Sequence, residues 1–122
     1  MTTSTASAIH HRWSAIPPEQ INASIARQFI TAERITLGRF EMTAGGVVPR
    51  HAHENEQVSY VISGTLLFHF DDRDVTVQSG EVMQIPPNVA HAVDVVEDCV
   101  VVDVFCPVRQ DWVDRTDDYF RR

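Results

Sequence analysis

The chain is short of cysteine, of positive charge and of long apolar runs, and each shortage narrows what it can be. Its two cysteines, Cys99 and Cys106, lie seven apart in an apolar stretch with no Cys-x-x-Cys spacing. That pattern predicts two buried, reduced thiols in a cytoplasmic protein. No stretch approaches the length of a membrane span. The opening MTTSTASA has neither a basic region nor an apolar core, so no signal peptide is expected there. A formal net charge of −7 speaks against nucleic acid or an anionic membrane as partner. A small anionic substrate stays open, because it would feel the local field of a metal and nearby arginines. There are no internal repeats and no long amphipathic helix.

The 122 residues suffice for one domain. We read residues 1–25 as an N-terminal arm, loose over its first nine, with one short helical turn at the Pro17-Pro18-Glu19-Gln20 stretch. Residues 26–106 read as short strands broken by turns, and 107–122 as a polar strap. In Arg34 to Met42 the apolar face switches from Ile35 and Leu37 to Phe40 and Met42, which predicts a bulge or bend at Gly38. Val58–Ile62 and Thr65–Phe70 read as a hairpin turned at Ser63-Gly64. Asp71-Asp72-Arg73 and Pro86-Pro87-Asn88 read as further turns, with positive φ at Asn88. The sum is an all-β antiparallel barrel or jelly roll.

The segment His51-Ala52-His53, with Gln57 four residues on and His91 far downstream, reads as a metal site. Histidines at i and i+2 on a strand face the same side, and a third from a distant strand completes a set of imidazole nitrogens. Glu54 and Glu56 compete with Gln57 for the fourth position, and alternation favours Gln57. Such a set would hold one divalent transition metal, nickel, zinc, iron, manganese or copper, and leave its full charge in place. His10, His11 and His69 belong to no such pattern.

A second cluster lies in Val100-Val101-Val102-Asp103-Val104-Phe105. A carboxylate inside a strand apolar on both faces needs a partner. Asp103 shares a face with Phe105, and Arg109, beyond Pro107, can fold back over the same cavity. One reading is a structural Asp103–Arg109 pair. The other is a pocket wall, with Asp103 as acid or base, Phe105 as apolar floor and Arg109 as a fork for a substrate carboxylate.

The glycine-bounded blocks Gly45…His51-x-His53…Gln57…Gly64 and Gly80…Pro86…Asn88…His91 resemble the paired motifs of the cupin superfamily. Gln57 stands where most of that family has Glu, and Asn88 where it has Gly. HAHENEQVSYVISG and DVFCPVRQDW look more narrowly like small single-domain cupins of the KdgF type, over nearly the whole chain. The resemblance implies a double-stranded β-helix, or jelly-roll barrel. It implies metal ligands His51, His53, Gln57 and His91, with Asp103 and Arg109 in catalysis. We assign substrate contacts to Phe105, Arg109 and Tyr60. The implied activity is opening of 4,5-unsaturated uronates to linear keto-acids, in pectin and alginate breakdown. A metal-dependent dioxygenase and a non-catalytic sugar-binding protein are the alternatives. Departures fall at no proposed ligand: Glu54 and Asn55, next to the site, replace Pro-His, Ala90 replaces Pro, and Gln110 replaces Glu. A homodimer is the expected assembly.

Overall fold

A computed structural model describes residues 6–118. Eight strands follow in order: β1 (Glu19–Gln20), β2 (Ile25–Thr31), β3 (Thr36–Met42), β4 (Val47–His51), β5 (Glu56–Phe70), β6 (Asp74–Gln78), β7 (Val82–Ile85) and β8 (His91–Cys106). One short helix, α1 (Gln110–Val113), follows β8. All pairings are antiparallel.

Two long strands make the barrel. β5 and β8 pair along their lengths, from Glu56 opposite Cys106 to Phe70 opposite His91. Their register shifts between Val61 and Leu66, where the ladder turns a corner. On one side of the corner the first half of β5 pairs with β7, and the second half of β8 pairs with β3. On the other side β5 pairs with β6, and β8 with β4. The result is two sheet faces closed over one core, a jelly-roll barrel.

Gly64 marks the corner, not a hairpin turn. Its φ is +88°, and a Cβ there would lie 2.2 Å from the carbonyl oxygen of Asp98 on β8. The positive-φ glycine read as a turn between two strands instead lets one strand bend while β8 crosses close against it.

Strict alternation fills the interior. On β8, His91, Val93, Val95, Cys99, Val101, Asp103 and Phe105 are buried. On β3, Thr36, Gly38, Phe40 and Met42 are buried without a break in register, so the expected bulge at Gly38 is absent. Ile35 and Leu37 simply point outward. Gly38 instead makes room for Trp112 of α1, since an added Cβ would sit 3.1 Å from the ring atoms Cη2 and Cζ3.

The strap is structural. Trp112 is fully buried, edge-on to Phe29, Phe40 and Phe105, and lies between the guanidinium groups of Arg27 and Arg109 at 4.4 and 4.6 Å. Arg27 also bonds Asp117 and Glu19, each at 2.8 Å, and the Arg27–Asp117 side chains are wholly shielded from solvent. Asn88 has φ 64°, the left-handed turn the sequence suggested. The arm differs from expectation: its single helical turn is a 3-10 turn at Trp13–Ala15, and Glu19–Gln20 is strand. Cys99 is buried, with its thiol pushed up to about 11 by burial and then by Asp103 and Asp98, but Cys106 is exposed because it falls on the outer face as β8 ends. The first five residues of the arm's loose stretch, and 119–122 of the strap, lie outside the described residues.

Candidate metal centre

His51 ends β4 and His91 begins β8, and the two face each other as a register pair. His53 lies beyond β4 in the connecting loop, so the His-x-His pair does not share a strand as expected. The loop still turns His53 inward. The three rings gather, with His51 and His91 centroids 4.3 Å apart and His53 5.5 and 5.3 Å from them. Their ligand nitrogens all lie within 4.8 Å of one another.

Backbone carbonyls set the tautomers. Nδ1 of His51 lies 2.7 Å from the oxygen of Pro49, that of His91 2.8 Å from Val89, and that of His53 3.0 Å from Asn55. In His51 and His91 the Nδ1–H therefore donates, which leaves Nε2 as the lone-pair nitrogen. This is how metal-binding histidines are oriented. Burial, followed by the neighbouring imidazole of His91, lowers His51 to about 3. Burial, followed by Arg109 and His91, lowers His53 to about 4. His91 is lowered too, chiefly by burial. All three are neutral at physiological pH, as metal binding requires.

Gln57 makes the case for a cation. Its Oε1 lies 3.0 Å from Nε2 of His53. A neutral His53 has one N–H for two carbonyl oxygens, Asn55 on one side and Gln57 on the other. One of those contacts sets acceptor against acceptor, and a cation shared by Nε2 and Oε1 would relieve it. Glu54 and Glu56 are exposed, whereas Gln57 is buried. The donor set of three imidazoles and a carboxamide thus fits a divalent transition metal.

Asp103, Phe105 and Arg109 line the same cavity as His51, Gln57 and His91. Asp103 lies opposite Ser59 in the β5–β8 ladder, and its Oδ1 is buried without a hydrogen-bond partner. Burial raises its carboxyl from 3.8 to about 7, against the opposing effects of Ser59 and Arg109. Arg109 is buried above Phe105, 4.7 Å from the ring. It forks onto Asp111, so the Asp103–Arg109 pair considered from sequence gives way to an Arg109–Asp111 pair. The enclosed space beside these groups is about 30 Å³, room for one or two waters. A larger molecule must meet the site from the half-exposed side of His51 and His53. The far larger groove, about 560 Å³ between the arm and the outer face of β2 and β3, contains none of these groups.

Tyr60 is not brought to the cavity. Gln57, Ser59 and Val61 point inward along β5, so parity sends Val58, Tyr60 and Ile62 outward, and Tyr60 is 46% exposed. His69 is held between Asp74 and Asp94 at 2.9 and 2.7 Å, which engages both its nitrogens. His10 and His11 are exposed in the arm. Sequence reading passed over Ser59 and Asp111, and met Asn55 only as a departure next to the site. Asn55 ties the His53 loop to the strap by donating to the carbonyls of Pro107 and Val108. Alternation from Gln57 was the available signal for Ser59.

A barrel of this topology with histidines from β4, its following loop and β8 defines a class of small metal-binding β-barrels. The cupin-domain family model matches residues 38–105, over half the chain, and the chain belongs to the cupin family. Among solved structures it is similar to KdgF from Halomonas sp., with a TM-score of 0.76 and 22% identity over 81% of this chain and 94% of that one. An RmlC-like cupin from Shewanella frigidimarina gives 0.80 and 24% over 87% and 96%. Oxalate decarboxylase OxdC of Bacillus subtilis gives 0.77 and 16%, covering 86% of this chain but 31% of that one. No curated protein matches the chain by sequence. At these identities the structural likeness speaks to fold.

Proposed function

We propose that this cupin opens the ring of 4,5-unsaturated uronates, or isomerises a closely related small sugar acid, to a linear keto-acid. The observation that carries the reading is Asp103: a buried carboxyl, poised near neutral, with Oδ1 unpartnered in the cavity that His51 and His91 line. A group that can both accept and return a proton at physiological pH suits this isomerisation. The resemblance of HAHENEQVSYVISG and DVFCPVRQDW to KdgF-type cupins supports the choice of substrate class.

Asp103 takes the proton of the C1 hydroxyl. The C1–O5 bond breaks, C1 becomes an aldehyde, and the freed electron pair forms an enolate over O5, C5 and C4. Return of the proton to C4 gives the ketone. One proton leaves and one returns, so no oxidant or co-reactant is consumed. Arg109 supplies positive charge for the substrate carboxylate, and Phe105 gives an apolar surface beneath it. His51, His53, His91 and Gln57 would hold a divalent metal that polarises substrate oxygens as a Lewis acid.

The test gives purified, metal-loaded protein unsaturated galacturonate and follows the ring double-bond absorbance. We expect loss of absorbance faster than in buffer, and loss of that rate in Asp103→Asn with metal retained. A rate equal to buffer removes the proposal. Oxygen uptake with iron loaded would instead identify a dioxygenase, and binding seen by thermal shift without turnover a sugar-binding protein.

The same reading takes the protein as a homodimer. Val58, Tyr60 and Ile62 on β5 and Val82 on β7 form an exposed apolar row, with Tyr60 beside both Val82 and Val102. Tyr60→Arg should shift the sedimenting species from dimer to monomer.

A further inference from the structure

We propose that Ser59 is a positioning residue for the metal centre: it fixes which end of the Gln57 carboxamide faces the histidines. The inference rests on the reading of Gln57 as a ligand. An amide has one acceptor end and one donor end, nearly equal in shape. Only Oε1 can bind a cation, so an unconstrained amide presents the wrong end part of the time.

The constraint is visible. Gln57 Nε2 donates to Ser59 Oγ at 2.9 Å. Ser59 is 1% exposed and sits opposite Asp103 in the β5–β8 ladder. Both side chains line the same cavity, which sets the Ser59 hydroxyl beside the Asp103 carboxyl. A hydroxyl whose proton turns to that carboxyl leaves Oγ only to accept from Gln57. The carboxamide must then turn Nε2 toward Ser59 and Oε1 toward Nε2 of His53, where it is found at 3.0 Å. Gln57, Ser59 and Asp103 all line the cavity, with Ser59 bonded to Gln57 and opposite Asp103. Ser59 has no place among the ligands, and its hydroxyl touches them only through Gln57.

Second partners of metal ligands are worth about 10-fold to 100-fold in affinity. The experiment measures zinc affinity by chelator competition for wild type, Ser59→Ala, Gln57→Glu, the Gln57→Glu/Ser59→Ala double variant and Gln57→Ala. Circular dichroism and melting of the metal-free proteins control for folding. We expect Ser59→Ala to weaken zinc about tenfold when Gln57 is present. A carboxylate has two equivalent oxygens and no orientation to choose, so the same change in the Gln57→Glu background should leave affinity within about twofold. Equal losses in both backgrounds, or no loss in either while Gln57→Ala is weakened, overturn the proposal. Unchanged affinity in Gln57→Ala overturns the ligand reading beneath it, which is a distinct failure. If Ser59→Ala does not fold, the isosteric pair Ser59→Thr, which keeps the hydroxyl, and Ser59→Val makes the same comparison.

Discussion

Asp111 holds Arg109 by two parallel bonds, Nε to Oδ1 at 2.9 Å and Nη2 to Oδ2 at 2.7 Å. Burial would raise the Asp111 carboxyl, but the hydrogen bonds and charge of Arg109 outweigh it and hold it below the usual range. The pair presents a carboxylate of the strap to the arginine that a substrate carboxylate would seek. Asp111→Asn removes the charge that balances a buried guanidinium, at a cost on the order of 2 kcal/mol. We expect a lower melting temperature, partly recovered by millimolar galacturonate, with much less recovery in wild type. A depressed carboxyl contributes stability above its unfolded pKa and loses it as pH falls through the folded value. The gap between wild type and variant should therefore close in acid.

Asp103 runs the opposite way. Its carboxyl is raised from 3.8 to about 7, so the fold keeps a proton that the unfolded chain has released. Stability from this group is intact below about pH 4 and falls as pH rises toward about 7, a loss on the order of 4 kcal/mol at most. Asp103→Asn in metal-free protein should be more stable than wild type at pH 8 and show little advantage at pH 4. Urea denaturation at both pH values measures this. An activity loss coupled to a stability gain is the expected mark of a group placed for chemistry.

The metal site should resist acid. With His51 lowered to about 3 and His53 to about 4, protons compete for the ligands only well below the ordinary histidine range. Equilibrium dialysis with elemental analysis should find metal retained at pH 5.5. Release with a midpoint near 6.5 would contradict the preorganised tautomers. In the metal-free protein the same lowered values mean that the unfolded chain binds more protons, so stability should decline as pH falls from about 6.5 toward 4. Stripping metal at neutral pH should also lower the melting temperature, since the ion binds the folded state.

The parts of the fold that were legible are those with local signatures. Histidine is a ligand type, so His51, His53 and His91 stood out by spacing, and the alternation that favoured Gln57 also holds in β5. The same parity, carried three residues further, sends Tyr60 outward; its place in a motif-like string drew it into the site instead. Gly64 shows a different limit. A glycine at positive φ is the local sign of both a hairpin turn and a bent strand, and only pairing with β8 separates them. Arg27 and Asp117 bond across 90 residues of sequence, with nothing local to either that announces the other. Ser59 acts through neighbours on both sides, and its chemistry has no meaning until β5 and β8 are in register.

Gly38 and Trp112 should behave as one unit. Gly38→Ala would place a methyl 3.1 Å from two ring carbons of Trp112 and 3.2 Å from Cε2 of Phe40. That is too close without movement, and the indole is walled by Arg27, Arg109, Phe29 and Phe105. Overpacking of this kind costs about 1–3 kcal/mol. Trp112→Phe shortens the ring and opens space, at a cost of its own. In that background Gly38→Ala should be cheaper, so the two changes together should cost less than their sum. Denaturant midpoints for the two single variants and the double variant measure the coupling. Strict additivity would show that Gly38 is not small on account of the indole. Because Arg109 stacks on the same ring, Gly38→Ala should also weaken substrate binding from outside the cavity, visible as a raised KM with metal content unchanged.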